Sequence, residues 1–479
     1  MLFNSYIFML AFLPIAVAVY FLLNKNRLLI AGTTWLLFAS LVFYGWFNPK
    51  YLLLIFISMM FNYAIGSALV RDDFQKSTIS PKALLAFGIV MNILALAYYK
   101  YFDFFISNIN TVFHADLPLL KIALPLAISF ITFKQIAYLS DCYKKIVKDY
   151  DFLNYCLFIC FFPPLISGPI VHYQEIMPQF EKLRNKVLSY KNITWGLFMF
   201  AIGLFKKSIM ASSFAEIVNT GFVPGLEVTL FSGWLIAVAY AFQLYFDFSG
   251  YTDMAFGVAK MFNIDLPLNF NSPYKSDSIQ DFWRRWHITL GRFLRDYIYI
   301  PLGGSRVGNV RTYVNLFTTF LIGGFWHGAS WMFIIWGALQ GGGLVIHRLW
   351  RKLNIGMPRF IAIAITFVFS VISFVYFRAA EIPIANNIVK AMFGFNGIVL
   401  PRFNYNTIKF LKDGADYIVM SDSVILFAAS FILIFFCLNS NEIMARFKFK
   451  PWMGYALMLL YAVILLNMSK ISEFLYFNF

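Results

Sequence analysis

Long apolar runs alternate with short basic links over most of the chain. A helix that crosses a bilayer needs about 20 mostly apolar residues. Runs of about that length lie at roughly 2–23, 28–47, 51–70, 83–99, 122–141, 152–171, 194–212, 229–249, 312–328, 331–347, 360–377, 422–438 and 452–468. The pattern predicts an all-α, polytopic transmembrane protein in which some segments are re-entrant rather than spanning. No positive charge precedes the first run, whereas Lys25 and Arg27 follow it. That order reverses a signal peptide's, so a retained first span with its N-terminus outside is expected. The links then alternate: Lys25 and Arg27 inside, Asn48-Pro49-Lys50 outside, Arg71 to Lys82 inside, Lys100 to Lys121 outside.

Two stretches depart from this pattern. In 122–141, Leu124-Pro125, Lys134, Gln135 and Asp141 interrupt the apolar run, which points to a segment lining a cavity. The stretch 378–421 holds Arg378, Glu381, Lys390, Arg402, Lys409, Lys412, Asp413 and Asp416 and reads as an extramembrane loop with a short helix. No linker rich in Gly, Ser or Pro divides the chain, so one membrane-embedded domain over 1–479 is expected. No internal repeat is visible, which weakens a secondary-transporter reading.

Composition sharpens the class. Hydrophobic residues make 60% of the 479 and charged residues 13%, against about 25% charged in soluble domains. A soluble enzyme, a disordered chain and a disulfide scaffold are excluded. The formal charge of +16 lies mostly between apolar runs. It reads as positive-inside bias, with attraction to anionic lipid or a negatively charged substrate, and not as a nucleic-acid surface. Cys142, Cys156, Cys160 and Cys437 form no CxxC; Cys156 and Cys160 share a helix face and read as packing.

Polar residues concentrate in 247–311. Asp247, Tyr251 and Asp253 close an apolar span, and each carboxylate needs a partner or an interfacial place. Further on, Ser278 opens an amphipathic helix over 279–298, with Asp281 three residues on. At 100° per residue, Ile279, Phe282, Trp283, Trp286, Leu290, Phe293, Leu294 and Tyr297 share one face. Asp281, Arg284, Arg285, Arg292, Arg295 and Asp296 share the other. Such a helix lies in the membrane interface, and its arginines suit either lipid phosphates or an anionic donor. His287 falls near the border of the two faces.

Of five histidines, His114 and His347 read as surface residues, and His172, after a Pro-rich break, as structural. His327 is different: it follows Trp326 in an apolar Gly-Gly-Phe-Trp-His-Gly stretch at the junction of two spans. An ionisable residue in such a place is a functional candidate by default. Its glycines would let backbones or a substrate approach. Gly341-Gly342-Gly343 reads as close helix packing.

These residues resemble the membrane-bound O-acyltransferase superfamily, in particular its bacterial branch that O-acetylates alginate and peptidoglycan. The matching stretches are YFDFSGYTDM (245–254), NSPYKSDSIQDFWRRWHITLGRFLRDYIYIPLGGS (271–305) and GFWHGA (324–329), supported by 129–143, 161–174 and 377–379. The family-like core covers about 98–380. The resemblance implies a ring of tilted helices around a central tunnel, with His327 catalytic and His287 also involved. It further implies an acetyl thioester such as acetyl-CoA as donor substrate, no tightly bound cofactor or metal, an inner-membrane location and an extracytoplasmic acetyltransferase partner. Acetyl transfer to a hydroxyl suits a neutral histidine as base. D-alanyl transfer to teichoic acid, within the same superfamily, stays open, as does a transporter or flippase without chemistry. A lipid-linked glycosyltransferase using Asp247 or Asp253 is disfavoured, because these carboxylates do not lie in an early extramembrane loop.

Overall fold

The computed structural model describes residues 1–71, 80–147, 151–404, 407–412, 415–420, 422–448 and 450–467. The chain forms two compact units, Met1–Ala201 with Tyr251–Pro267, and Ile202–Gly250 with Leu268–Phe479. The first holds α1 (Leu13–Lys25), α2 (Leu29–Gly45), α3 (Lys50–Val70), α4 (Pro81–Leu96), α5 (Phe102–Phe113), α6 (Ile128–Tyr143), α7 (Phe152–Cys160), α8 (Tyr173–Glu181) and most of α9 (Tyr190–Phe205). The second holds α10 (Ser212–Gly221) and the start of α11 (Leu230–Met261), which ends in the first unit. There follow α12 (Ile279–Trp283), α13 (Ile288–Leu294), α14 (Asn309–His327), α15 (Trp331–Lys352), α16 (Arg359–Arg378) and α17 (Ile382–Met392). After β1 (Arg402–Asn404), β2 (Thr407–Lys412) and β3 (Ala415–Met420) come α18 (Asp422–Phe435), α19 (Ser440–Ala445) and α20 (Pro451–Asn467).

Among the described residues, 7 helical stretches are long and apolar enough to cross a membrane: Phe8–Lys25, Lys50–Val70, Pro81–Phe113, Tyr190–Gly221, Leu230–Met261, Trp331–Lys352 and Arg359–Arg378. α2, Ser423–Phe435 and Pro451–Leu466 are shorter apolar helices. Their outer faces stay bare, with Ile30 77% and Leu466 83% exposed. Water would not tolerate so much exposed apolar surface; lipid does. The protein is a multi-pass, helical membrane protein.

Two expected runs are corrected. Residues 122–127 are not helical, and α6 starts only at Ile128. Inside the protein, Lys134 donates to the Ile159 carbonyl at 3.2 Å, and Gln135 accepts from the Tyr155 hydroxyl at 2.6 Å. The run 152–171 is no single span either. α7 ends at Cys160, and the buried 161–171 is irregular around Pro163-Pro164, where proline denies the helix a donor. Cys156 and Cys160 are buried, as packing requires.

In 378–421 the expected short helix is α17. It is followed by an antiparallel meander, β1–β2–β3, with Arg402 opposite Lys409 and Thr407 opposite Met420. The alternation of hydrophobicity is too short there to have announced strands. Asp413 and positions 72–79 of the Arg71–Lys82 link lie outside the described residues.

In the second unit, a π-helical turn over Lys206–Ala211 carries Lys207 to Asp247 of α11, and the two form an ion pair. Both are almost wholly buried, so Asp247 has the partner its burial demands. Only a glycine permits the approach, since a Cβ on Gly250 would sit 2.7 Å from the Gly203 carbonyl oxygen.

Candidate functional site

The site is assembled within the second unit. α14 and α15 form a hairpin whose legs touch backbone to backbone. A Cβ on Gly324 would lie 2.3 Å from the Phe333 carbonyl oxygen and 2.8 Å from Gly337 Cα. Ser330 starts α15 by accepting from the Met332 N–H at 3.2 Å, a side-chain cap. His327 is the last residue of α14 and is buried. Its ring meets those of Trp326, Trp336 and Phe377 at 4.9, 5.0 and 5.1 Å between centroids. The neighbouring glycines serve packing: a Cβ on Gly328 would fall 2.2 Å from the Phe333 ring. Gly341 and Gly343 are likewise pressed against Phe317 and Phe369.

Trp336 connects His327 to the amphipathic segment. Its ring lies 5.9 Å from Trp283, which also meets Phe320 at 4.7 Å. Trp283 is held by a buried relay: its Nε1–H donates to Gln340 Oε1 at 3.0 Å, and Gln340 Nε2 donates to Ser373 Oγ at 2.8 Å. Gln340 and Ser373 escaped the sequence reading. The available signal was a glutamine within the apolar run of α15.

The expected continuous helix over 279–298 is broken. Ser278 caps α12, accepting from Asp281 N–H at 3.2 Å. The chain leaves helical geometry after Trp283, His287 adopts φ 41°, ψ 53°, and α13 restarts at Ile288 before a π-helical turn at Arg295–Tyr299. The two-faced pattern survives the break. Ile279, Phe282, Trp283, Trp286, Leu290, Phe293 and Leu294 are buried, while Arg284 and Arg295 are exposed. The break moves His287 from the border of the faces to complete burial, at 0% exposure. Its Nδ1 lies 3.1 Å from Asn269 Oδ1, its ring meets Phe248 at 4.8 Å, and burial lowers its pKa from 6.5 to about 3. Aromatic rings connect the histidines: Trp286 packs on Phe374, Phe374 on Phe377, and Phe377 on His327.

Beside Trp283 and Phe320 opens a cavity of about 810 Å³. Arg284, Arg292 and Arg295 line it from the amphipathic segment; His347, Arg348, Arg351 and Lys352 line it from the end of α15. Among the described lining residues none is acidic. His347, read as a surface residue, is half-buried and lines this cavity with its basic neighbours. Positions 344, 347, 348 and 351 share a helix face, and that spacing was the signal. Arg285 is drawn aside, donating to Asp281 at 2.8 Å; with Arg284 it lines an adjoining cavity of about 1060 Å³.

The remaining residues singled out in the sequence have their own surroundings. Asp247 is engaged by Lys207. Tyr251 and Asp253 belong to the first unit, where Tyr251 stacks on Phe3 at 5.0 Å. His172, 3.8 Å from Asp141, starts α8 in a capping box with Glu175. His114 ends α5 in a left-handed conformation.

Comparison with known proteins agrees with this architecture. The model of the membrane-bound O-acyltransferase family matches residues 127–382. The chain is 42% identical to a peptidoglycan O-acetyltransferase of Helicobacter pylori, covering 100% of this chain and 98% of that protein. It is 37% identical to a probable alginate O-acetylase of Pseudomonas aeruginosa, over 86% of this chain and 79% of the relative. Similarity to a teichoic acid D-alanyltransferase of Bacillus subtilis is 30% over 48% of this chain and 60% of that protein. The chain belongs to the membrane-bound O-acyltransferase family and is an O-acyltransferase.

Proposed function

We propose that the protein moves acetyl groups from a thioester donor, acetyl-CoA or a chemical equivalent, across the inner membrane for O-acetylation of a cell-surface polysaccharide or peptidoglycan. The observation that carries this reading is the basic cavity whose wall, Trp283, packs against Trp336 and through it reaches His327. The phosphates of a thioester donor match the arginines at the mouth. Its acyl end matches the apolar interior. There His327 acts as general base: it takes the proton of the acceptor hydroxyl as the oxygen attacks the acetyl carbonyl, the C–S bond breaks, and the thiolate takes the proton. Arg284, Arg292 and Arg295 hold the donor. The similarity over nearly the full length to proteins named for O-acetylation favours acetyl over D-alanyl transfer. An extracytoplasmic acetyltransferase partner completes the delivery to polymer.

The test pairs binding with turnover. Purified His327→Gln in lipid nanodiscs should bind radiolabelled acetyl-CoA as the wild type does. Cells carrying it as their sole copy should lose base-labile acetate from the wall glycan. Normal acetate at normal protein abundance would remove His327 from this role.

A further inference from the structure

We infer that Asn269 is a positioning residue that locks His287 in one neutral tautomer, with Nε2 presented as an acceptor to the O–H or N–H of a bound substrate. This rests on the acyl-transfer reading above. Asn269 Oδ1 meets three groups: the Thr289 backbone N–H at 3.3 Å, the Thr289 hydroxyl at 2.8 Å and His287 Nδ1 at 3.1 Å. A backbone N–H can only donate, so the side-chain atom it meets is the carbonyl oxygen and not the amide nitrogen. Facing an oxygen that accepts, Nδ1 is left only the role of donor. The ring proton therefore resides on Nδ1, and Nε2 carries the lone pair.

The backbone holds the same arrangement. Ile288 N–H donates to the Asn269 carbonyl at 3.0 Å, and Asn271 N–H to the Arg285 carbonyl at 2.9 Å. These two bonds pin the strand-like 269–271 segment along 285–288, on both sides of His287. The left-handed backbone of His287, φ 41°, is costly for a non-glycine residue and persists only where surroundings enforce it.

Nε2 is buried and has no hydrogen-bond partner among the described residues. A buried polar atom without a partner is costly, and an acceptor-only atom is satisfied by a donor. Phe248 of α11, whose ring meets that of His287, and Asn269, which bonds Nδ1, carry no titratable group. The nearest carboxylate in sequence on α11, Asp247, is paired with Lys207. The partner of Nε2 is thus an O–H or N–H of a substrate: the acceptor's hydroxyl, or an amide on the pantetheine arm of the donor. His287 then holds that substrate while His327 takes the proton.

The tautomer is observable without knowing the acceptor. The full chain has five histidines, so ¹⁵N-histidine labelling in nanodiscs, with His287→Gln to assign the resonance, reads the two ring nitrogens of His287 directly. Wild type should show a protonated Nδ1 and an unprotonated Nε2, held down to about pH 5. Asn269→Ala should mix the tautomers and lower acetyl transfer by about 10²-fold. Thr289→Val, which removes one of the three bonds but not that of His287, should keep the wild-type tautomer. Asn269→Asp keeps the acceptor but adds charge; it should restore the tautomer and raise the imidazole pKa, so that an acid limb enters the rate profile. A fall in kcat at constant donor KM assigns Nε2 to the acceptor hydroxyl; a rise in donor KM assigns it to the thioester arm. A single wild-type tautomer in Asn269→Ala, or unchanged kcat and KM in that variant, overturns the inference. Absence of acetyl transfer by the wild type would instead overturn the acyl-transfer reading and leave the tautomer result standing.

Discussion

His327 and His287, both in the second unit, are positioned by opposite means. His327 ends a helix and is surrounded by rings, with Trp326, Trp336 and Phe377 at 4.9–5.1 Å. Its location follows from how closely α14 and α15 approach at Gly324 and Gly337. His287 sits in a helix break, and hydrogen bonds from a segment 18 residues earlier place it. The first imidazole is placed by shape, the second by polarity. The difference teaches which substitutions each tolerates. Packing is lost by adding a methyl group, polarity by deleting an acceptor.

Removing the reacting group gives the largest effect. His327→Gln should lower acetyl transfer by about 10²–10⁴-fold, with little change in melting temperature, as measured on purified protein. If stability falls instead, His327 is a structural bridge. Adding volume at the crossing comes next. Gly324→Ala should cost roughly 1–3 kcal/mol, read as a lower melting temperature and lower abundance in the membrane, because the facing atoms are backbone and cannot yield.

The two sites should also separate by pH. His287 is harder to protonate folded, at about 3, than at its ordinary 6.5. The unfolded chain therefore binds the extra proton, and stability falls as pH drops between these values, by on the order of 1 kcal/mol per unit. Melting temperatures between pH 7 and 5 should show this slope, and His287→Gln should flatten it.

The basic cavity gives a smaller effect. Arg348→Gln with Arg351→Gln should raise the donor KM about tenfold while kcat holds, the signature of lost ground-state binding. Unchanged donor KM would leave these arginines to lipid. The smallest effect marks the contrast: Gly342→Ala, whose Cβ would meet nothing within 4 Å, should stay within about 0.5 kcal/mol of wild type.

The sequence carried what local periodicity carries. The apolar face of 279–294 was legible in the sequence, because burial follows the 3.6-residue period even across a break, although Tyr297 is only half-buried. The break itself was not legible, since His287 owes its backbone to Asn269, far off in sequence. Hydropathy likewise mistook 152–171 for a span: a run buried in protein and a run facing lipid look alike. His347, read as a surface residue leading into Arg348 and Arg351, is half-buried; α15 runs on to Lys352, and its last turns carry the basic stripe.

The Lys207–Asp247 pair bears on how the chain reaches the membrane at all. Its two charges reside on successive helical stretches, Tyr190–Gly221 and Leu230–Met261, joined by the short link 222–229. Inserted singly, each stretch would carry an unmatched charge into lipid, at about 2.5–3.5 kcal/mol apiece on the translocon scale. Inserted together, the charges cancel before hydrocarbon surrounds them. Insertion of the two stretches as one hairpin is the expected outcome. A chain truncated after α10 should be less protected from protease in the membrane than one truncated after α11, and Lys207→Met should narrow that gap.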